Sequence, residues 1–400
     1  MKIAFFTLLS PLKSALADYG EGLAAGLSRI PGVSVDLFIN DDYWPDNPVI
    51  VEQFNIYPYT EFESRTENYD VIFYSMGDHY GYNGYMLDFI YRYPGVTLLH
   101  DLTLHRCIMH ATLGQGKPQA YLKELQYAGA PASFRLSRQI EAHHGNQLIL
   151  EYPLFQRVVD SSLGVIVHNE YARRRILDSR PQANVRRIPH AFFMPPGFSE
   201  YDIAAERAQQ RRALQLEPQD FVVGSFGIFV PDKHLESSLA AFAAVAQRYP
   251  NAKYLLGGAP ANGYDLAGQI RRMGLADKVT ITGWLPPPEF ARQMFALDVG
   301  IHLRYPHIGG TPYTPIRLMG LNVATIISDI EPLAEIPLGA CVKIPPDDYA
   351  PASLTAVLER LADDQDFRQL IGENGRQYIA RHHSIDQIAP QYAAFLASCA

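Results

Sequence analysis

The stretch Arg304 to Asp329, RYPHIGGTPYTPIRLMGLNVATIISD, decides how this chain is read. It follows an apolar run, Val299 to Leu303, that predicts a buried strand. Gly309 and Gly310 then permit backbone geometry that other residues resist. Thr311 fits an N-cap, and Pro312 fits the first helical position, where its missing N–H costs nothing. A short helix is expected to about Gly320, with Asn322 as a left-handed stop and Val323 to Ile327 as a second apolar strand. Strand, glycine loop and helix start, in that order, make an anion site. Unpaired N–H groups and the positive end of the helix dipole point at whatever sits there. An ordinary strand–helix turn has the same order, so other segments have to decide.

Outward from this stretch, apolar strands alternate with amphipathic helices. Lys2 to Thr7, Val35 to Phe38, Val71 to Tyr74, Val96 to Leu99 and Val165 to His168 read as strands. Asp18 to Ser28 and Tyr171 to Asp178 are among the helices between them. The pattern stops near Pro195-Pro196-Gly197 and passes a charged helical stretch, Ala204 to Leu214. It restarts with strands at Phe221 to Gly224, Lys253 to Gly257, Val279 to Thr282, Val299 to Leu303 and Thr325 to Ser328. Such alternation predicts two α/β domains in tandem, each with a mainly parallel, doubly wound sheet. Ligands of these sheets bind beyond the carboxyl ends of strands, so a site in a cleft between the domains is expected.

With 400 residues, the chain has room for two or three ordinary domains. At 48% hydrophobic and 19% charged, its composition is that of a soluble globular protein. A formal net charge of −8 argues against general nucleic-acid binding, which wants a basic face. No apolar run reaches the length of a membrane span. The apolar start, MKIAFFTLLSPLK, lacks a small-residue cleavage site and reads as a first buried strand. Cys107, Cys341 and Cys399 are too few and too widely spaced for a disulfide framework or a zinc site, which points to a reducing cytoplasm.

In the second half, GSFGIFVPDKH (Gly224 to His234) follows a strand. Glycines such as Gly227 let a ligand approach the backbone. Lys233, just before the predicted helix Leu235 to Arg248, is placed to neutralise a diphosphate; a solvated surface lysine is the plain alternative. Trp284 and Leu285 follow a strand end and suit either a wall for a nucleotide base or simple packing. In the first half, His100 ends the strand in LLHD and is expected to project into the cleft, able to hydrogen-bond or handle a proton. His105 and His110 have neither Glu nor Cys at ligand spacing and read as packing residues. The tyrosines between Tyr74 and Tyr93 suit a sugar platform or core packing equally. Glu141 to His144 and Arg173 to Arg175 read as solvated helix faces, the arginines making at most a peripheral membrane contact. There is no Gly-x-Ser-x-Gly elbow and no Walker lysine motif.

Together these segments resemble a glycosyltransferase of the GT-B fold, similar to the family 4 retaining enzymes. The closest likeness is to a subgroup carrying SGIADYS, PGVVVLHD, VIVHS, IPHG and LRYPxxGETSGxLLRxLAxGxPVIVSD. The matching segments are Ser14-Ala-Leu-Ala-Asp-Tyr-Gly20, Pro94-Gly-Val-Thr-Leu-Leu-His-Asp101, Val165-Ile-Val-His-Asn169, Ile188-Pro-His-Ala191 and the opening stretch. Order and spacing hold to about residue 395. The resemblance implies two Rossmann-like domains facing across a cleft. Residues 1–195 would bind the acceptor and 196–380 the nucleotide-sugar donor, with 381–400 a helix returning to the first domain. It implies transfer of a sugar from a nucleotide diphosphate sugar to a hydroxyl of a glycan, glycolipid or other glycoconjugate, with retention. No metal or other cofactor is expected, because Lys233 and a helix dipole neutralise the leaving diphosphate. Gly309, Gly310 and Thr311 match the phosphate-binding turn, and His100 the histidine near the reacting sugar. Ala15 and Leu16 stand where the first-strand loop usually has glycine, which would hold the donor slightly further off.

Departures accompany the match. The family's two glutamates, spaced E-x7-E, fall on Gly309 and Arg317, and the subgroup's GETS glutamate falls on Gly310. The arginine of the family's GR loop falls on Ile228. Arg317 cannot accept a hydrogen bond from ribose as a carboxylate does, but suits bidentate binding of phosphate or an acidic sugar. Either the donor differs, or another residue supplies the lost contacts, or the protein is an inactive GT-B scaffold that binds a glycan or a partner.

Overall fold

Strands apolar on both faces have to be covered on both faces, which is the habit of parallel sheets. The computed structural model, which describes residues 1–131, 145–194, 201–347 and 350–400, contains two such sheets. The chain divides into two units. One is Met1–Ala191 with Ile308–Thr311 and Ile385–Ala400; the other is Phe192–His307 with Pro312–Ser384. Pro195 to Gly197 and Glu141 to His144, singled out in the sequence, lie outside the described residues. Among those described, no helix is long and apolar enough to cross a membrane.

The first unit holds β1 (Lys2–Phe6), β2 (Ser34–Ile39), β3 (Ile56–Pro58), β4 (Val71–Met76), β5 (Val96–Leu99), β6 (Gly164–Val167) and β7 (Val185–Arg187). Their order is β3-β2-β1-β4-β5-β6-β7, all parallel, with the switch point between β1 and β4. Phe6 stacks on Phe38 at 5.0 Å and meets Phe62 edge-on at 5.1 Å. Phe5, the next residue and so on the other face, stacks on Phe73 at 4.6 Å. Of the two readings of the tyrosine-rich segment, packing holds. Tyr74 is buried and donates to the Tyr93 carbonyl at 2.8 Å, while Tyr80, Tyr82, Tyr85 and Tyr91 pack against the same core.

The final helix, Ile385–Ala397, belongs to this unit. Two glycines seat it. A Cβ on Gly26 would lie 2.6 Å from Ile385, and one on Gly164 would lie 2.8 Å from Phe395. Tyr392 is fully buried, and its hydroxyl meets that of Tyr19 at 3.1 Å.

The second unit holds β8 (Phe221–Phe226), β9 (Ala252–Gly257), β10 (Val279–Ile281), β11 (Val299–His302), β12 (Ala324–Ser328) and β13 (Val342–Ile344), again all parallel. The order β10-β9-β8-β11-β12-β13 puts its switch point between β8 and β11. Neighbouring residues on β12 serve opposite faces: Ile326 joins a core with Leu239 and Leu354, Ile327 one with Ile316, Met319 and Ile379. At the amino ends of β8 and β11, Asp298 accepts from Val222 N–H at 2.7 Å, Arg207 at 2.7 Å and Arg211 at 3.3 Å.

Two local expectations change. The helix predicted from Asp18 starts at Ala15, because Ser14 caps it by accepting from the Leu16 N–H at 3.2 Å. Ala15 and Leu16 are therefore a first helical turn, not loop. The helix predicted after Thr311 runs Tyr313–Gly320 with Pro312 as its N-cap. Thr311 does not cap it; its Oγ1 accepts from Asn169 Nδ2 at 2.9 Å. Asn322 does take the left-handed stop, at φ 65°.

Replacing Tyr392 by Ala is expected to lower the unfolding free energy by about 3–5 kcal/mol, as for other large buried aromatics. Tyr392→Phe, which loses only the hydroxyl contact, should cost about 1 kcal/mol. Chemical denaturation of the full chain measures both; equal losses would mean the ring does not anchor the helix.

Candidate active site

The switch point of the second unit is where its polar residues gather. Gly227 follows β8, Lys233 ends the short turn Pro231–Lys233, His302 ends β11, and Arg304 lies two residues on. Lys233 Nζ donates to the Phe226 carbonyl at 3.1 Å. Gly227, at φ 114°, makes this possible, since a Cβ there would stand 2.5 Å from Nζ. Gly258 is needed behind it, because its Cβ would fall 2.1 Å from the Gly227 carbonyl oxygen. Arg304 lies 3.5 Å from the Asp232 carboxylate.

Charge is unbalanced here. Burial first, then Arg304, pulls the Lys233 pKa down to about 7, against the opposing pull of Asp232. Burial, then Lys233 and Arg304, holds His302 well below the usual histidine range, and its Nε2 is buried without a hydrogen-bond partner. One carboxylate, Asp232, faces two basic groups, Lys233 and Arg304. That is the electrostatic profile of a polyanion site. Sequence reasoning named Lys233 and Gly227 but missed His302 and Arg304; the available signal was their place at the end of a predicted strand.

The other proposed donor contacts of this unit stand apart from that group. Trp284 and Leu285 follow Gly283, beyond the end of the outermost strand β10. Trp284 is 41% exposed, which excludes plain core packing. Arg317 is 2% exposed, its guanidinium carbon 4.4 Å from the Tyr313 ring centroid. It is a buried cation on an aromatic face.

In the first unit, His100 follows β5 and is buried. Its Nε2 lies 2.8 Å from Ser75 Oγ and its Nδ1 lies 3.4 Å from His168 Nε2. His168 Nδ1 faces the Ile188 carbonyl at 3.1 Å, and His190 Nδ1 the Ala191 carbonyl at 3.3 Å. Burial, then His168, holds His100 well below the usual range, so its imidazole is uncharged at neutral pH. His168 and His190 end the quoted motifs VIVH and IPH, yet sequence alone assigned them no role.

Loop Ile308–Thr311 packs beside them in the same unit. Asn169 Nδ2 donates to the Gly309 carbonyl at 3.0 Å, and the Thr103 N–H donates to the Ile308 carbonyl at 3.1 Å. Gly309 is at φ 83°, and its Cβ would lie 2.5 Å from that of Leu102. A Cβ on Gly310 would lie 2.4 Å from the His100 carbonyl oxygen and 2.7 Å from Asp101 Oδ1. Backbone packing therefore favours glycine at both positions, including the one where the resemblance implied glutamate. His105 is a packing residue, with nitrogens 2.5 Å from the Tyr152 carbonyl and 2.5 Å from Tyr121 Oη. Arg173 and Arg174 pair with Glu170 on their own helix, at 2.9 and 3.3 Å.

Residues 206–378, all in the second unit except 308–311, match the family described as glycosyl transferases group 1. The chain is 25% identical over 268 residues to the alpha-D-kanosaminyltransferase of Streptomyces kanamyceticus, covering 62% of this chain and 68% of that one. Whole-chain likeness in structure extends to the sucrose-phosphate synthase of Thermosynechococcus elongatus, with TM-score 0.68, 18% identity and coverage of 100% and 98%. It extends also to Anabaena HepE solved with UDP-glucose, with TM-score 0.66, 17% identity and full coverage of both chains. The chain has the GT-B fold, and its segment 206–378 is similar to the group 1 glycosyl transferases. The group 1 segment holds Lys233, His302, Arg304 and Arg317 and also Gly309 and Gly310, which belong to the first unit, whereas His100 lies outside it.

Restoring the subgroup glutamate should harm this glycosyltransferase-fold protein. Gly310→Glu is expected to destabilise it by about 1–3 kcal/mol through overpacking and to displace loop 308–311. Urea denaturation of the variant checks this; unchanged stability would mean the loop has room for a side chain.

Proposed function

We propose that the protein is a retaining glycosyltransferase that moves a sugar from a nucleotide diphosphate sugar to a hydroxyl of a glycan, glycolipid or other glycoconjugate. The observation that carries this reading is the desolvated Lys233 ammonium beside Arg304, with Gly227 and Gly258 keeping room for it at a switch point. As the bond from the sugar to the diphosphate breaks, negative charge grows on the departing phosphate oxygen. Lys233 and Arg304 stabilise that charge, the more strongly for being partly out of water. Arg304 takes the place of the arginine absent at Ile228. On this reading no metal is needed at the diphosphate. Gly227 lets the donor reach the backbone, and exposed Trp284 with half-buried Leu285 offers a wall for the base. Work at the cytoplasmic side, with at most a peripheral membrane contact, suits a glycolipid acceptor.

One observation favours a second reading, an inactive scaffold. Both positions of the family's paired glutamates lack a carboxylate, and Arg317 is buried on Tyr313. The experiment is a donor screen with product analysis, UDP-glucose first because HepE was solved with it, with and without chelator. Glycosylated product that survives chelation, and a Lys233→Ala loss of about 10²–10³-fold in kcat/KM, is expected. Nucleotide binding without turnover of any donor would leave the scaffold reading.

Diphosphate binding should also draw a proton. Lys233 titrates near 7 in the free protein, and a bound anion favours its charged form. Affinity should therefore be highest below that value and fall as pH rises through it. Calorimetry at roughly pH 8 in buffers of different ionisation heat should show proton uptake, lost in Lys233→Ala. Heats independent of buffer would exclude this role.

A further inference from the structure

The first unit holds a histidine cluster with no part in diphosphate chemistry. One nitrogen from each of His100, His168 and His190 lies within 4.8 Å of the other two, and all three side chains are buried. They come from residues just beyond β5, β6 and β7, three adjacent parallel strands. We propose that His100, His168 and His190 form a binding site for a zinc-class divalent metal ion, which staples these strand ends together.

Three observations carry this. First, each imidazole has its other nitrogen held by the protein. His168 Nδ1 and His190 Nδ1 face backbone carbonyls, and His100 Nε2 faces Ser75 Oγ. Such outer partners fix ring orientation and raise ligand basicity in histidine metal sites. A carbonyl only accepts, so Nδ1 of His168 carries the hydrogen, and Nε2 is the ligating atom. Second, the separation of His100 Nδ1 and His168 Nε2 is 3.4 Å, long for a hydrogen bond. Two nitrogens on one tetrahedral zinc, each about 2.0–2.1 Å from it, stand about 3.3–3.4 Å apart. Third, Tyr19 covers the cluster, its ring centroid 4.2 Å from that of His190, 5.2 Å from His100 and 5.5 Å from His168. Three imidazoles without a thiolate suit zinc, nickel or copper, not magnesium or calcium. The fourth position falls to water or a small anion.

The inference stands apart from the transfer reading; a chain without transferase activity would still carry the site. The test uses the full-length protein, stripped with chelator and titrated with cobalt(II), then zinc. One cobalt per chain is expected, with the intense visible bands of four-coordinate cobalt, displaced by zinc. His168→Gln should abolish the bands. Ser75→Ala, which removes only an outer partner, should weaken cobalt binding about 10–100-fold. If His168→Gln does not fold, the wild-type stoichiometry and Ser75→Ala still decide. Absence of tetrahedral bands in the stripped wild-type protein overturns the proposal. So does unchanged cobalt affinity in Ser75→Ala or in folded His168→Gln.

Discussion

Parallel pairing is the constraint on which everything else in this protein rests. Every strand of both sheets runs parallel to its neighbours, so all carboxyl ends within a sheet share one edge. Residues far apart in sequence are delivered to that edge together. Lys233 and Arg304 are brought into one charged group because they follow adjacent strands β8 and β11. His100, His168 and His190 meet for the same reason at β5, β6 and β7. Both sheets reverse order at an inner strand, β1 or β8, which opens a crevice that helices do not fill.

Two cations, one buried and one half-buried, show how differently charge is used. Arg211 is 7% exposed, yet it shares the Asp298 carboxylate and donates to the Ala296 carbonyl. It sits at the amino ends of the strands, and its charge is matched in place. Lys233 has a carbonyl and the divided attention of Asp232, which already holds Arg304. A desolvated ammonium without a full counter-charge destabilises the folded chain, and a diphosphate would remove that penalty. His302, uncharged and without a partner at Nε2, adds capacity to the same group.

Glycine does opposite work in the two units. In the second, Gly227 and Gly258 create space for the Lys233 side chain. In the first, Gly309 and Gly310 use up space, bringing loop backbone against Leu102 and the His100 carbonyl. A chain that seats its loop this closely has no room for a carboxylate at either position. Packing thus closes off a carboxylate at Gly309 and Gly310.

The alternation of strands and helices, the two sheets and most inner strands were legible in sequence, because strands buried on both faces have to be apolar throughout. Three edge strands of three residues each, β3, β7 and β13, were not, although the equally short edge strand β10 was. Strand-end positions drew attention to His100, Gly227 and Lys233, since the chemistry of an α/β sheet collects there. Local signals misplaced Thr311, because an N-cap preference of about 1 kcal/mol yields to a hydrogen bond from Asn169, 142 residues away. Only the tertiary structure decided that Arg317 lies buried on Tyr313, that Gly310 rests on His100, and that three histidines from separate motifs converge. Periodicity reports which face of an element is apolar; it carries no information on which strand ends become neighbours. That is set by sheet order, a property of the whole chain.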